Sequence, residues 1–268
     1  MVSPRPEGHA LVTGASSGIG AAIAREYAQR GVPLILTARR VDKLEQLAVE
    51  LRRLVPVEVI PADLAEPQAV EVLAGEIQRR GLTVRILVNN AGYGVPGRYL
   101  SKDWPTHAQF LQVMVISLSE LTWRLLPAIR ASGQGRILNV ASFAALVPGA
   151  DGQTLYAAAK AYLVRMSESL SLENADHGVH VTALCPGFTW SEFHDVTGTR
   201  EMMSKLPAWA WLETDVVARA GIEGVEKGRV LVVPGRVYKL LRLVAKHLPD
   251  RLVLALMGRN SGRIRKVD

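Results

Sequence analysis

Short apolar runs rich in β-branched residues alternate with longer segments of helical periodicity along most of this 268-residue chain. A strand-like run followed by a helix-like segment occurs six times. This alternation predicts an α/β fold with a parallel sheet and helices on both faces, because each helix returns the chain to the same edge of the sheet. Right-handed crossovers then favour a doubly wound order. The predicted strands are 10–13, 33–37, 57–61, 86–89, 136–140, 179–185 and 230–233, and the predicted helices are 19–30, 41–54, 66–80, 104–131, 154–175 and 214–227.

The length of the chain and two irregular regions define the predicted domain organisation. A chain of 268 residues with 49% apolar content fits one large α/β domain better than two small ones. Residues 187–213 form an insertion rich in aromatic residues and Met, and loops longer than about 12–15 residues are usually functional or disordered. We therefore predict a single domain over residues 1–235, with a lid insertion at 187–213 and a C-terminal helical extension at 236–268.

The basic charge of the chain is concentrated in that extension. Residues 236–268 contain nine Lys and Arg against two Asp, which accounts for the whole net charge of +7. This distribution argues against a nucleic-acid-binding face on the main domain. Apolar residues recur there at helical spacing, with basic residues between them, at Val237, Leu240, Leu241, Val244 and Leu248. Such a helix can lie on an anionic membrane surface, or it can cover its own domain or a partner subunit.

The sequence lacks the features typical of secreted and membrane-spanning proteins. The first nine residues have no basic-then-apolar signal pattern, and no stretch approaches the ~18 continuous apolar residues of a membrane span. Cys185 is the single cysteine, so an intrachain disulfide cannot form. Its apolar neighbours favour a buried strand residue over a catalytic thiol. The expected location is the cytoplasm, with peripheral membrane contact through residues 236–268 left open.

A glycine-rich segment follows the first predicted strand and opens the first predicted helix. It reads Thr13-Gly14-Ala15-Ser16-Ser17-Gly18-Ile19-Gly20. Gly14 permits a tight turn, Gly18 a close approach of the cofactor, and Gly20 close packing of helix on strand. The N–H groups at the start of the helix suit a pyrophosphate. The segment therefore predicts a Rossmann-like dinucleotide site built from Gly14, Ser16, Ser17, Gly18, Ile19 and Gly20, rather than a glycine turn without a ligand.

The residues after the second predicted strand indicate which dinucleotide is bound. Selectivity for NAD usually needs a carboxylate near this strand end, to bind the ribose 2′-hydroxyl. No acidic residue lies between Glu26 and Asp42, whereas Arg39 and Arg40 follow the strand directly. A guanidinium suits a 2′-phosphate in charge and geometry. We therefore predict NADPH/NADP+ as the cofactor, against the alternative that both arginines are ordinary surface charges.

Tyr156 and Lys160 form a candidate pair for proton transfer. They are four residues apart in a helical segment, which places both on one helix face. A phenol in water ordinarily has a pKa of about 10, and a neighbouring ammonium favours the phenolate. Ser142 follows the fifth predicted strand, and its hydroxyl can hydrogen-bond a substrate oxygen as charge develops there. Taken alone, a Tyr/Lys pair at this spacing is more often a surface pair.

These motifs together resemble the classical short-chain dehydrogenase/reductase (SDR) superfamily. The similarity rests on the glycines at 14, 18 and 20, on Asn89-Asn90-Ala91-Gly92, and on Ser142 fourteen residues before Tyr156, and it covers about residues 8–233. It implies catalytic roles for Ser142, Tyr156 and Lys160, with Lys160 also reaching the nicotinamide ribose. It also implies NADP(H) from the basic residue at 39, and a homodimer or homotetramer.

The resemblance assigns further cofactor contacts to segments after three strands. Asp63 and Leu64 match an adenine-contacting pair, although an N-cap for the following helix is an equally physical role for Asp63. Asn90, Ala91 and Gly92 pass the ribose side of the cofactor. The nicotinamide carboxamide is held by a third segment, whose matching residues are Pro186, Gly187, Thr189 and Ser191.

One position departs from the family pattern. Many classical members carry an asparagine in the long fourth helix, whose main-chain carbonyl holds a water that relays protons to the lysine. The spacing from Asn90 places Met114 there. A main-chain role can survive with Met, whereas a kink of the helix that depends on the asparagine side chain need not. Gln112 and Ser117 are candidate substitutes for that side chain. This departure concerns the proton relay more than the hydride chemistry.

The predicted function is NADPH-dependent interconversion of a carbonyl and an alcohol. We expect a pocket formed by Tyr93, Val95, residues 143–153 and the 187–213 insertion. Its apolar and aromatic composition favours a hydrophobic ketone or aldehyde, and a 3-oxoacyl or steroid substrate is possible within the family. The aromatic residues of the insertion can equally pack on one another. The alternative function is a catalytically weak NADP(H)-binding sensor or scaffold, which Met114 alone favours. No metal site is predicted.

Overall fold

The computed structural model describes residues 8–192, 207–249, 251–255 and 258. Seven parallel strands form one sheet in the order β3-β2-β1-β4-β5-β6-β7, which confirms the predicted doubly wound α/β fold. The strands are β1 (His9–Thr13), β2 (Leu34–Thr37), β3 (Val57–Val59), β4 (Val84–Asn89), β5 (Arg136–Val140), β6 (His180–Leu184) and β7 (Leu231–Val232). The helices are α1 (Gly18–Gln29), α2 (Val41–Leu51), α3 (Ala69–Arg79), α4 (Trp104–Leu111), α5 (Leu118–Ala131), α6 (Thr154–Glu173), α7 (Thr214–Glu226) and α8 (Arg236–His247).

The strand order places a topological switch point beside β1. The chain first builds the sheet outward through β2 and β3, and then returns to pair β4 with the other side of β1. Loops after β1 and β4 therefore leave the sheet in opposite directions and open a crevice at its carboxyl edge. In doubly wound folds this crevice is where ligands bind.

Two apolar layers hold helices to the sheet. On one face, α1, α2 and α7 pack through residues such as Ile23, Leu44 and Ile222. On the other, α3 and α5 pack through Leu73 and Leu125. Each helix buries one stripe, as the periodicity predicts, because residues three and four apart share a face. Burial of this kind is the main favourable term in folding, and it fixes the loops that surround the crevice.

The predicted helix 104–131 is interrupted in the structure. A π-helical segment, Gln112–Ser117, separates α4 from α5. Side-chain hydroxyls compete for the backbone here: Ser119 Oγ donates to the Val115 carbonyl at 2.5 Å and Thr122 Oγ1 to the Leu118 carbonyl at 2.7 Å. Such bonds to the preceding turn loosen a helix, and π-helical turns often occur at functional sites. The periodicity did not predict this interruption.

Smaller differences lie at the ends of elements and in short turns. Predicted and observed strand ends agree to within two residues, while α3 begins at Ala69 rather than at residue 66. Short 3₁₀ turns were not predicted. They are Tyr99–Ser101, Phe143–Leu146, Ala175–His177 and Ala208–Ala210.

The predicted helix of the C-terminal extension is α8. Its first turn contacts its own domain through Tyr238, which is buried, whereas Leu240, Leu241 and Val244 are exposed. Residues 193–206 of the predicted lid and 259–268 of the extension lie outside the described residues. None of the helices in the described part of the chain has the length and apolarity to span a membrane.

Candidate active site

The turn after β1 has no room for side chains at two of its glycines. Gly14 has a φ of +64°, and a β-carbon there would lie 2.9 Å from the Ala91 α-carbon. A β-carbon on Gly20 would overlap the Gly14 carbonyl oxygen and the Asn90 side chain. Glycine at both positions therefore lets the turn, the first turn of α1 and the loop after β4 come into direct contact.

Hydrogen bonds fix the Asn-Asn-Ala-Gly segment to this turn. Asn90 Nδ2 donates to the carbonyls of Thr13 at 2.9 Å and Gly14 at 3.2 Å. Thr13 Oγ1 donates to the Val88 carbonyl and accepts from the N–H groups of Asn90 and Ala91. These bonds hold the two sides of the crevice at a fixed separation.

The N-terminus of α1 is suited to an anion. Ser17 is the N-cap residue, but its side chain does not cap the helix. Instead the hydroxyls of Ser16 and Ser17 accept hydrogen bonds from Arg40, at 3.2 and 2.8 Å. The first N–H groups of an uncapped helix lack intrahelical partners and attract phosphate. Together with the glycine turn, these residues fit a dinucleotide pyrophosphate beside β1.

The two arginines after β2 have different surroundings. Arg39 is exposed and forms no ion pair with any residue that the structure describes. Arg40 Nη1 lies 2.8 Å from Glu192 Oε2, and Lys43 Nζ lies 2.6 Å from Glu192 Oε1. Glu192 was not predicted, because only the fold brings it to Arg40. Lys43, three residues after Arg40, was not predicted either, because a lysine on a helix surface carries no distinguishing signal.

Asp63 does not take the N-cap role considered from the sequence. Its Oδ1 accepts a hydrogen bond from the Ala65 N–H at 3.0 Å, and α3 begins only at Ala69. The carboxylate therefore stabilises a turn after β3. Leu64 beside it is buried in the core.

Lys160 and Tyr156 lie at the carboxyl end of β5, where Ser142 follows. Lys160 Nζ is 5.9 Å from the centroid of the Tyr156 ring and donates to the Val140 carbonyl at 2.7 Å. Burial lowers the pKa of Lys160 to about 8, because the charged form is desolvated. Ser142 Oγ accepts from the Ala144 N–H at 3.2 Å, which leaves its own proton available as a donor.

Cys185 lies behind this group and remains a buried thiol. Burial raises its pKa to about 12, an effect that a hydrogen bond from the Ser142 N–H partly offsets. A thiol in this state is a poor nucleophile. The interpretation as a buried strand-end residue is thus favoured over a catalytic thiol.

The Pro-Gly segment after β6 is held from both sides. The Phe143 N–H donates to the Pro186 carbonyl at 2.8 Å, next to Ser142. Tyr238 of α8 accepts from the Phe188 N–H at 3.0 Å and donates to the Ala210 carbonyl at 2.6 Å. A β-carbon on Gly187 would overlap the Tyr238 ring, so glycine is required for this packing.

The far end of the same segment reaches the glycine turn. A β-carbon built on Gly18 would lie 3.1 Å from the Ser191 β-carbon, and Thr189 is buried with its hydroxyl on the Gly187 carbonyl. The segment therefore spans the crevice from Ser142 to the start of α1. The family resemblance predicts that Thr189 and Ser191 lie at the cofactor crevice, and in the structure both lie in the segment that spans it.

A cavity adjoins Tyr156. It encloses about 270 Å³, part of it open to solvent, and is lined by Val95, Gly97, Tyr99, His107, Phe110 and residues 152–156. Val95 and residues 152–153 were predicted. The 3₁₀ turn with Tyr99, and α4 with His107 and Phe110, were not, because nothing in their local pattern distinguishes a pocket wall from an ordinary amphipathic helix.

Three of the described aromatic residues of the insertion pack on one another, whereas Trp209 is 66% exposed. The Trp190 and Trp211 rings are stacked with centroids 4.0 Å apart, and Phe188 lies 5.8 Å from Trp211. This is the packing alternative considered for these residues. Phe193, Met202 and Met203, which were counted with them, lie outside the described residues.

Comparison with known proteins identifies the family. The family model described as "short chain dehydrogenase" matches residues 8–201. The chain belongs to the short-chain dehydrogenase family. Sulfoacetaldehyde reductase from Chromohalobacter salexigens is 35% identical over 188 residues, which is 68% of this chain and 73% of that protein.

Two solved structures show the same fold with different cofactors. A short-chain dehydrogenase from Sphingobium yanoikuyae in complex with NADPH has a TM-score of 0.79 and 29% identity, covering 98% of this chain and 96% of that one. One from Burkholderia phymatum in complex with NAD has a TM-score of 0.75 and 25% identity, covering 89% and 92%. This short-chain dehydrogenase is therefore an oxidoreductase of a family that binds nicotinamide cofactors.

Met114 of this short-chain dehydrogenase lies within the π-helical segment. It is buried with Phe110 and Ala159, beside Tyr156, and its sulfur would contact a β-carbon on Gly92 at 2.7 Å. Ser117 donates to the Leu64 carbonyl at 2.7 Å and accepts from Gln112 at 3.1 Å. The two candidate substitutes thus bond to each other and to the core, so neither is free to replace a relay side chain.

Proposed function

We propose that this protein interconverts a carbonyl and an alcohol with NADPH/NADP+, using Ser142, Tyr156 and Lys160 as its catalytic residues. The observation that carries the proposal is the position of buried Lys160, 5.9 Å from the Tyr156 ring at the end of β5. An ammonium this close to a phenol stabilises its anion and makes the phenol useful as an acid or base.

The chain's own residues handle the proton and orient the substrate. In the reducing direction Tyr156 donates its phenolic proton to the carbonyl oxygen, and Ser142 donates a hydrogen bond to the same oxygen. The bond that Ser142 accepts from Ala144 fixes its hydroxyl, and a fixed donor stabilises developing charge without reorganisation. Lys160 stabilises the phenolate that remains. When bound, the nicotinamide dinucleotide supplies or accepts the hydride.

Residues around the crevice would hold that cofactor. The pyrophosphate suits the glycine turn, with Gly14, Ser16, Ser17, Gly18, Ile19 and Gly20. Asp63 and Leu64 would face the adenine, Asn90 to Gly92 the ribose side, and Pro186, Gly187, Thr189 and Ser191 the carboxamide. Support for NADP(H) comes from Arg39 and Arg40 after β2, where a carboxylate that selects NAD is lacking. Lys43 adds a third cation to this group.

The substrate we propose is a hydrophobic ketone or aldehyde, or a 3-oxoacyl compound. The wall of the cavity beside Tyr156 includes the apolar Val95, Phe110 and Leu155 together with the rings of Tyr99 and Tyr156. Arg98 lies in the sequence between the lining residues Gly97 and Tyr99. Its guanidinium is paired with Asp151 at 2.8 Å, so this cation is already neutralised. His107 Nε2 is hydrogen-bonded to the Tyr99 carbonyl at 2.7 Å, which keeps the ring as part of the wall.

The assembly and location are also proposals. We propose a homodimer or homotetramer in the cytoplasm, with residues 1–235 as the catalytic unit. The exposed apolar side chains of α8, Leu240, Leu241 and Val244, alternate with basic residues, and this composition supports peripheral contact with an anionic membrane.

A panel of carbonyl compounds tests the proposal. Ketones and aldehydes of graded chain length and ring size are mixed with NADPH or NADH, and cofactor absorbance is followed. We expect turnover with hydrophobic members, faster with NADPH, and a loss of at least about 100-fold in Tyr156→Phe, as is typical when an acid–base group is removed. Tyr162→Phe is the matched control, because the one bond of its hydroxyl to a described residue is to Ser119. Equally slow NADPH consumption by wild type and Tyr156→Phe across the whole panel would favour the sensor alternative, whereas equal and rapid turnover would show that Tyr156 is not the proton donor.

A further inference from the structure

Glu192 forms ion pairs with two cations, Arg40 at the N-cap of α2 and Lys43 within α2. In the sequence it lies 152 residues from Arg40 and 149 from Lys43. Its two carboxylate oxygens are divided between them: Oε2 lies 2.8 Å from Arg40 Nη1 and Oε1 lies 2.6 Å from Lys43 Nζ. Hydrogen bonds from Lys43 and Arg40 lower the pKa of Glu192 to about 2. The side chain is therefore an anion near neutral pH.

The same arginine also bonds to the glycine turn. Arg40 Nη2 donates to Ser17 Oγ at 2.8 Å and to Ser16 Oγ at 3.2 Å. A guanidinium, an ammonium and two hydroxyls thus meet between the end of β2 and the start of α1. In doubly wound folds the adenosine ribose lies at this place, and an arginine there accommodates a 2′-phosphate. A carboxylate shared between two cations has the charge and oxygen spacing of part of a phosphate.

We infer that Glu192 occupies the place of the cofactor's 2′-phosphate and competes with that phosphate for Arg40 and Lys43. The inference rests on the proposed NADPH-dependent function. Two anions cannot share the same pair of cations without strong repulsion, so NADPH must displace the carboxylate, whereas NADH has no 2′-phosphate that would do so. Glu192 thereby weakens the binding of NADPH but not that of NADH, and so reduces the preference of the protein for NADPH over NADH.

The half-exposed position of the ion pairs limits the expected size of the effect. The side chains of Arg40, Lys43 and Glu192 retain 36–41% of their exposure, and ion pairs at exposed positions are weak because solvent screens them. Removing the competing charge should therefore change the dissociation constant of NADPH by about three- to tenfold.

Substitution Glu192→Gln tests this competition. Dissociation constants of NADPH, NADH and adenosine 2′,5′-bisphosphate are measured by calorimetry at low and high salt, together with melting temperatures that verify folding. We expect tighter binding of NADPH and of the bisphosphate, and unchanged binding of NADH. Glu50→Gln is the matched control, since it removes the same charge from an exposed ion pair with Arg25 and should change none of the three constants.

The outcomes separate the inference from the proposed function. Unchanged or weaker NADPH binding in Glu192→Gln, with wild type binding NADPH, overturns the inference alone and indicates that the ion pairs instead hold the crevice together. Equal tightening for NADH also overturns it, because the effect would then not concern the phosphate. If neither wild type nor Glu192→Gln binds NADPH or the bisphosphate, the proposed cofactor is wrong and the inference falls with it.

Discussion

Met114 occupies the position at which the family resemblance predicts an asparagine, and its surroundings are apolar. The side chain packs with Phe110 and Ala159 next to Tyr156. The helix is nevertheless opened here by the π-helical segment Gln112–Ser117. The irregular backbone therefore exists without an asparagine, so a main-chain role of this segment does not depend on an asparagine side chain.

Substitution Met114→Asn separates the backbone role from the side-chain role. We expect kcat to be retained or raised, because the π-helical backbone remains. The free energy of unfolding should fall by about 1–3 kcal/mol, because a polar amide enters an apolar site. Steady-state kinetics well below the melting temperature, together with urea unfolding, measure both quantities.

The control for this variant is Met114→Leu, which nearly conserves volume and should cost less than about 1.5 kcal/mol. Its kcat should equal that of wild type. A large loss of kcat in Met114→Asn, with the protein still folded, would show that the position does not correspond to the relay site.

Some residues of the candidate site could be predicted from the sequence, and others could not. Gly14, Ser142, Tyr156 and Lys160 were predicted because each stands at a fixed short spacing from a strand end or from another member of the motif. Glu192 was not, since its partners lie 149 or more residues away, and only the segment after β6, which crosses the crevice, brings it to the start of α2. Long-range ion pairs leave no periodic signal in a single sequence.

At the scale of elements, the strands and most helices follow from hydrophobic periodicity, which depends on which side chains are buried. Its failures have a common physical cause. The π-helical segment and the 3₁₀ turns arise where backbone hydrogen bonds shift by one residue, often because a hydroxyl competes for a carbonyl. Such a shift hardly changes the pattern of buried positions, so the sequence between 104 and 131 predicts one unbroken helix.

Tyr238 of α8 connects the C-terminal extension to the candidate site through its buried hydroxyl. Tyr238→Phe keeps the ring that packs on Gly187 but leaves the Phe188 N–H and the Ala210 carbonyl without this partner. We expect the free energy of unfolding to fall by about 1–3 kcal/mol. The KM for the nicotinamide cofactor should rise severalfold, because Phe188 belongs to the segment proposed to hold the carboxamide.

Calorimetry and cofactor titrations of Tyr238→Phe measure these changes. Tyr162→Phe serves again as control for the KM, because it loses a hydroxyl away from the segment proposed to hold the carboxamide. A destabilised Tyr238→Phe protein with an unchanged KM would assign Tyr238 a structural role only.

At the scale of the molecule, charge and apolar surface are distributed unevenly. The net charge of +7 belongs to residues 236–268, whereas large apolar side chains are exposed around α5 and α6. Trp123 is 72% exposed, and Ile116, Tyr162 and Leu172 are exposed as well. Ser119, one turn before Trp123, bonds to Tyr162 at 2.8 Å, so the two helices present these groups side by side. Clustered exposed aromatic residues are typical of protein interfaces.

A second copy of the chain is the proposed occupant of this face, and Trp123→Glu tests it. A charge placed in an apolar interface remains unpaired and desolvated, so association should weaken strongly. Light scattering after size exclusion should give a dimer or tetramer for wild type and a smaller species for Trp123→Glu, with an unchanged melting profile at low concentration. Leu54→Glu is the control, because Leu54 is 57% exposed beyond α2, on the opposite half of the sheet. A monomeric wild type would contradict the proposed assembly, and an undiminished mass for Trp123→Glu would place the subunit contact on another face.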